Sequence, residues 1–194
     1  MWDVYEVDAM KKVSSRSLTY AGVLIAMNVL LTRFVSIPVG QVLRFSAGAV
    51  PVILSGLMLG PVTGAITGAI GDLIGCAVSG YAPNPLITLS SALYGLIPAL
   101  FAPVIKRSRP GLKRFMVILG VVFVTMIITS QGVHVLGLSL LYGMPAKAVF
   151  ISRIPQTLFL LVINTFLTDI IYSRVILPGV ADAGRDNGQR KESE

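Results

Sequence analysis

The chain has 194 residues, of which 54% are hydrophobic and 13% are charged, against about 25% charged in an ordinary globular domain. This composition excludes a soluble globular protein and indicates one membrane domain. The net charge of +7 would point to nucleic acid in a soluble protein, but here the basic residues lie in short connecting segments and concern membrane topology. The single cysteine, Cys76, excludes an internal disulfide and a multi-cysteine metal site, and it is expected to pack in an apolar helix.

The hydrophobic runs predict an all-α membrane protein built as a bundle of six transmembrane helices. About 20 residues at about 1.5 Å each cross a ~30 Å hydrocarbon core, and such spans are expected at about 17–35, 44–59, 61–79, 86–105, 115–142 and 146–176. An irregular linker, 33–43, and a tight reversal at Gly60-Pro61 are expected to join the first three spans. Residues 1–16 are expected to be a cytoplasmic segment, 17–177 the membrane domain and 178–194 a disordered cytoplasmic tail.

The first predicted span carries a pair of small residues, Gly22 and Ala26, four positions apart. Small residues at this spacing lie on one face of a helix and let another helix approach closely. The pair therefore predicts a helix contact, either within the bundle or with another subunit.

The third predicted span is rich in glycine and contains one acid. Gly60, Gly64 and Gly68 fall four apart and predict close packing against a neighbouring helix, while glycines 71 and 75 repeat this spacing on an adjacent stripe. Asp72 is the only charged residue between Arg44 and Lys106. A carboxylate in this setting indicates a function, although a structural bond between helices fits it as well.

The distribution of Lys and Arg predicts the orientation in the membrane. If the N-terminus is cytoplasmic, twelve of the 16 basic residues fall on the inner side and four, Arg33, Arg44, Lys147 and Arg153, on the outer side. The excess predicts a multi-pass plasma-membrane protein with both termini in the cytoplasm. The four outer residues either reach out to lipid headgroups or form a binding site.

The fifth predicted span adds polar residues at a compatible height. Gln131 and His134 are three positions apart and are expected to share one face of the helix, with Ser130 beside them. His134 has no histidine or cysteine cluster around it, so a metal site is not expected; a hydrogen bond within the bundle and a ligand contact both remain open. Asp169, near the inner end of the last span, is expected to be an interfacial charge.

Several catalytic motifs do not occur in the sequence. It has no G-x-x-x-x-G-K-[ST] for ATP phosphates, no H-E-x-x-H and no G-x-S-x-G. We therefore expect no enzyme, no catalytic residues and no cofactor. A small bundle with arginines at its outer mouth and no energy-coupling motif predicts a capture subunit that another protein powers.

Residues 19–172 resemble the S components of energy-coupling factor (ECF) transporters, and within them the folate-binding branch. The similar segments are 31–34 (LTRF), 43–46 (LRFS), 54–75, 80–83 (GYAP), 138–143 (LSLLYG) and 153–155 (RIP). The resemblance implies a substrate-capture subunit of an ECF-type ABC vitamin importer. Such a subunit binds its vitamin from outside and docks on a transmembrane scaffold subunit driven by two cytoplasmic ATPase subunits.

The resemblance also implies which residues bind. In the family an Ala-x-x-x-Ala pair on the first helix meets the scaffold, and Gly22 and Ala26 match it with glycine for the first alanine. The pocket lies at the outer side, which implies that substrate is bound by Arg33, Arg44, Phe45, Asp72, Tyr81, Gln131, His134 and Arg153. The two folate carboxylates suit guanidinium groups, and its flat pterin ring suits stacking on Phe34, Phe45 or Tyr81.

Two other functions stay open at this point. The chain could be an S component or small carrier for another solute, such as another pterin, a queuosine precursor or another vitamin. It could also be a membrane protein without transport activity that scaffolds partners through Gly22 and Ala26.

Overall fold

The computed structural model describes residues 15–39, 43–80 and 82–176. Most of this part of the chain is helical, with one short hairpin. In chain order the elements are α1 (Ser15–Arg33), β1 (Ile37–Val39), β2 (Leu43–Phe45), α2 (Ala49–Leu59), α3 (Pro61–Ser79), α4 (Pro85–Leu100), α5 (Ala102–Arg107), α6 (Leu112–Met126), the π-helix π1 (Ile127–Val133), α7 (His134–Tyr142), α8 (Ala146–Ile171) and a second π-helix, π2 (Tyr172–Ile176).

Four helical stretches are long and apolar enough to cross a membrane. They are Pro61–Ser79, Pro85–Arg107, Leu112–Leu141 and Ala146–Arg174, and two shorter apolar helices cover Ser17–Arg33 and Ala49–Leu59. The outer surfaces of these helices carry many large apolar side chains, such as Val62 and Val162, at more than half exposure. Such a continuous apolar surface is suited to lipid rather than water.

The predicted start of the second span is wrong. A helix is expected from Arg44, but Leu43–Phe45 forms a strand that pairs antiparallel with β1, with Ile37 opposite Phe45. The helix begins only at Ala49, so α2 has 11 residues and is about 17 Å long. Part of the predicted irregular linker thus forms β1, one strand of the hairpin, because apolar residues alternate along it as a strand requires.

The glycines on α3 bring three helices into backbone contact. An ideal Cβ at Gly56 on α2 would collide with the carbonyl oxygen of Gly95 on α4, and one at Gly64 would lie 2.6 Å from Gly56 Cα. Gly68 packs in the same way on the backbone of Ser91. Close packing is therefore predicted correctly for Gly64 and Gly68. Gly60 differs: it forms the reversal before α3 with φ +95° and has open space beside it.

The described residues hold a main apolar core and, beside it, a partly buried ion pair. The core is formed by Val50, Ile53, Leu54, Leu57, Ile105, Ile118, Val121, Val122, Met126 and Tyr172. Beside it, Arg114 Nε donates to Asp169 Oδ1 at 3.2 Å, and its Nη2 donates to the Ser173 hydroxyl. The sequence predicts Asp169 as an interfacial charge, and the structure shows it paired with a buried arginine from α6.

Candidate functional site

Arg33, the last residue of α1, turns its guanidinium inward onto α3. Only 13% of its side chain is exposed, and Nη2 lies 3.9 Å from Asp72 Oδ1 and 3.7 Å from Cys76 Sγ. A snorkelling arginine would extend away from the bundle. Arg33 instead places its charge among the helices, against the helix that carries the one acid of this region.

The seat of this guanidinium is formed by Gly75. An ideal Cβ at Gly75 would lie 2.5 Å from Arg33 Nε and 2.8 Å from Nη2. Arg33 Nε is buried and has no acceptor among the described residues. The stripe of glycines 71 and 75 therefore faces α1, where Gly71 lies against Asn28 and Gly75 against the arginine.

Asp72 links three helices. One oxygen, Oδ1, faces Arg33 on α1, and the other, Oδ2, accepts a hydrogen bond from Thr88 Oγ1 on α4 at 2.7 Å. Asp72 thus pairs with an arginine, and its contacts with α1 and α4 also fit the structural bond between helices that the sequence left open. Thr88 is not predicted, since a threonine four residues into an apolar helix has no distinguishing signal in a single sequence.

Arg153 forms the centre of a second polar cluster, between α8 and π1. Its side chain is buried, at 6% exposure, and Nη2 donates to Ser130 Oγ at 3.1 Å. Ser130 also lies 3.3 Å from Thr157 Oγ1, which accepts a hydrogen bond from Gln131 Nε2 at 3.0 Å. Thr157 was missed, although its position four residues after Arg153 puts both on one helix face.

Gln131 and His134, which are expected to share one helix face, contact different helices. Gln131 contacts α8, whereas His134 Nδ1 lies 3.4 Å from Ser90 Oγ on α4. The reason is that residues 127–133 are π-helical, with i→i+5 bonds that change the side-chain periodicity. Ser90 in turn donates to the carbonyl of Thr129 at 3.1 Å.

Helix α4 lies between the two clusters and contributes to both. Thr88 binds Asp72, while Tyr94, further along the same helix, lies beside Arg153, Thr129 and Ser130. Together the clusters hold two inward-facing guanidinium groups and one carboxylate. Such an arrangement is suited to a ligand that brings additional negative charge and hydrogen-bonding atoms.

The remaining predicted binding residues are placed as follows. Phe45 on β2 packs edge-on against Phe159, with ring centroids 5.5 Å apart. Arg44 lies in β2 opposite Pro38, and its side chain is outside the described part of the structure, as is Tyr81. Gly22 and Ala26 are placed on α1, where no atom of the described part of the chain lies within 4 Å of an ideal Cβ at Gly22.

A cavity of about 230 Å³ lies between α6, π1 and α8, away from the Arg33 cluster. Its lining residues are Phe123, Met126, Ile127, Gln131, Phe150, Ile154, Thr157, Leu158 and Leu161. Several of them, including Phe150 and Leu158, are exposed on the outer surface of the bundle. The cavity therefore opens toward the lipid, and only Gln131 and Thr157 connect it to the Arg153 cluster.

Comparison with known proteins identifies the family. The model of the family described as ECF-type riboflavin transporter, S component, matches residues 12–175. The chain belongs to this S-component family. It is thus a multi-pass membrane component of a transporter, and its family is not one of enzymes. The resemblance drawn from the sequence is confirmed.

Individual proteins that are similar to this chain in sequence or fold are named for folate and biotin. The folate transporter FolT of Clostridium novyi (strain NT) is 27% identical over 148 residues, covering 75% of this chain and 80% of that protein. The crystal structure of FolT bound with folic acid matches with a TM-score of 0.65 at 25% identity, covering 80% of this chain and 91% of that chain. The S component for biotin from an ECF-type ABC transporter shares the fold, with a TM-score of 0.57 at 19% identity and coverage of 82% and 92%.

Proposed function

We propose that this S component captures folate, or a reduced folate, from the extracellular side and delivers it through a shared energising module. The observation that carries the proposal is the match to FolT bound with folic acid, which extends over 91% of that chain. The similarity to a second FolT over 80% of its length supports it.

The chemistry of the two clusters agrees with this substrate. Folate ends in a glutamate with two carboxylates, and guanidinium groups bind carboxylates in a fixed planar geometry. We assign this end of the molecule to Arg33 or Arg153, both of which turn into the bundle. Of Asp72 and Gln131, the one farther from the guanidinium that binds the glutamate offers an acceptor for the donor-rich edge of the pterin ring, and we assign Phe45, Tyr81 and Arg44 to the outer mouth.

The depth of the clusters fits capture from outside. We infer six membrane-spanning helices with both termini in the cytoplasm, supported by the excess of twelve inner over four outer basic residues. In this orientation Asp72 lies seven residues before the outer end of α3, and Arg153 lies seven residues after the outer start of α8. Both are therefore about 10 Å below the outer helix ends.

The family implies partners from an ECF module, and this chain has no G-x-x-x-x-G-K-[ST] motif for ATP phosphates. We infer that these partners are a transmembrane scaffold subunit and two cytoplasmic ATPase subunits. We assign the scaffold contact to the face of α1 around Gly22 and Ala26. No atom of the described residues lies within 4 Å of an ideal Cβ at Gly22, so a partner helix can approach this face closely.

Riboflavin is the second candidate, because the matching family model carries its name. Riboflavin has a flat, hydrogen-bonding ring system like that of folate but no carboxylate. It would offer no carboxylate to the guanidinium groups of Arg33 and Arg153.

Competition binding on the purified protein in detergent distinguishes these substrates. Radiolabelled folate is bound to equilibrium and displaced with unlabelled folate, riboflavin, biotin or a pterin that lacks the glutamate. We expect folate to bind tightly and riboflavin to compete poorly. Displacement by riboflavin at the concentration at which folate itself displaces would contradict the folate assignment, and the absence of any ligand binding would favour a scaffold without transport activity.

A further inference from the structure

One turn of α3 forms a seat for the guanidinium of Arg33. Asp72, Gly75 and Cys76 are spaced i, i+3 and i+4 and so share one face of the helix. The guanidinium contacts all three, at 3.9 Å from Asp72 Oδ1, 3.7 Å from Cys76 Sγ and against the bare backbone of Gly75. Any residue other than glycine at position 75 would place a Cβ in the space that the guanidinium occupies.

A methyl group at position 75 would displace the Arg33 side chain and leave helix α3 unchanged. The three atoms nearest to the ideal Cβ are Arg33 Nε, Nη2 and Cζ, at 2.5, 2.8 and 3.0 Å. These atoms belong to the far end of a flexible side chain, which moves more easily than backbone. Alanine itself favours a helix more than glycine does. The expected result of Gly75→Ala is therefore a displaced guanidinium on an intact α3.

The neighbours of the Arg33 guanidinium do not satisfy all of its hydrogen-bond donors. Its distance of 3.9 Å to Asp72 exceeds the roughly 2.7–2.9 Å of a charge-assisted hydrogen bond, and Nε has no acceptor among the described residues. A buried donor without an acceptor carries a desolvation cost that no hydrogen bond offsets. A ligand oxygen at this guanidinium would remove that cost.

We infer that Gly75 is a specificity-determining residue, which selects substrates that carry a carboxylate by seating Arg33 on α3. The inference rests on the proposed function and extends it to one position. Gly75 itself is a positioning residue: it touches Arg33, and Arg33 touches the carboxylate. With alanine at this position the site would still accept the ring of the substrate but would bind its anionic tail more weakly.

The test compares two ligands on three proteins. Affinities for folate and for a pterin without the glutamate are measured by equilibrium binding on wild type, Gly75→Ala and Gly120→Ala. Gly120 is the matched control, since it is also helical and has no atom within 4 Å of its ideal Cβ. We expect Gly75→Ala to weaken folate about tenfold or more, to leave the pterin unchanged, and Gly120→Ala to behave as wild type.

A double variant separates this role from general damage. If Gly75 acts through Arg33, then Gly75→Ala has no further effect on folate binding in an Arg33→Ala background. The inference is overturned if Gly75→Ala keeps wild-type folate affinity, if it weakens both ligands equally, or if its effect adds in full to that of Arg33→Ala. Failure of the wild type to bind folate at all would instead refute the proposed function on which the inference rests.

Discussion

Arg153 Nη2 donates a hydrogen bond to the hydroxyl of Ser130 at 3.1 Å, which connects the N-terminal half of α8 to the π-helical segment π1. The bond fixes the position of a buried guanidinium. Ser130→Ala removes the acceptor but keeps the charge, so folate affinity is expected to fall about threefold to tenfold. Ser152→Ala is the control, because this neighbouring hydroxyl bonds to the Val149 carbonyl of its own helix. Equal affinities of the two variants would show that the bond does not position Arg153 for binding.

The Arg114–Asp169 ion pair is expected to support the fold rather than binding. Asp169→Asn leaves the buried Arg114 without its carboxylate. Breaking a fully buried pair costs about 3–5 kcal/mol, and a smaller cost is expected here because the Asp169 side chain is 23% exposed. We expect a clear loss of thermal stability in detergent, with unchanged folate affinity in the protein that remains folded. Arg107→Gln, which changes an exposed charge of the same inner region, should leave the melting temperature unaltered. A stable Asp169→Asn protein would disprove the structural role of the pair.

At the glycines where α2, α3 and α4 contact one another, even a small added side chain is expected to disrupt the packing. Gly56→Ala puts a methyl group onto the carbonyl oxygen of Gly95, and because the obstacle is backbone, the helices must separate. We expect a destabilisation of about 1–3 kcal/mol or more, seen as a lower melting temperature. Gly120→Ala, in open space on α6, should be neutral or stabilising. Similar melting temperatures for the two variants would mean that the crossing is looser than the structure shows.

Much of this architecture is readable from the sequence because it depends on local composition. The hydrophobic runs predict the helical segments, and the spacing of Gly64 and Gly68 predicts their close packing on neighbouring helices. The isolated Asp72 indicates a polar contact, and Arg33 proves to be its partner.

Other features depend on contacts between distant residues or on backbone geometry that a single sequence does not encode. The hairpin at Leu43–Phe45 requires pairing across a turn, and the π-helical residues 127–133 depart from the periodicity of an α-helix. Arg114 and Asp169 are 55 positions apart, so nothing in the sequence indicates that they form a pair. Thr88 and Thr157 resemble ordinary helix residues until their partners are seen.

The open face of α1 predicts a variant that separates capture from transport. Gly22→Leu adds bulk where nothing lies within 4 Å, so the fold and folate affinity should stay as in wild type. Co-purification with the scaffold and ATPase subunits is expected to be lost, because close helix approach needs small residues. Gly120→Leu adds the same bulk in similarly open space on α6 and should still assemble. Normal assembly of Gly22→Leu would remove α1 from the interface.

Two inward-facing guanidinium groups are expected to bind the anionic vitamin, and the folate affinity of the Arg33→Ala/Arg153→Ala double variant measures their contribution. Lys147→Ala serves as the control, because this outer cation is exposed. Since the double variant removes both charge-assisted hydrogen-bond donors, we expect its folate affinity to be at least about 100-fold below wild type, with the Lys147 variant unchanged. Wild-type folate affinity in a folded double variant would contradict the claim.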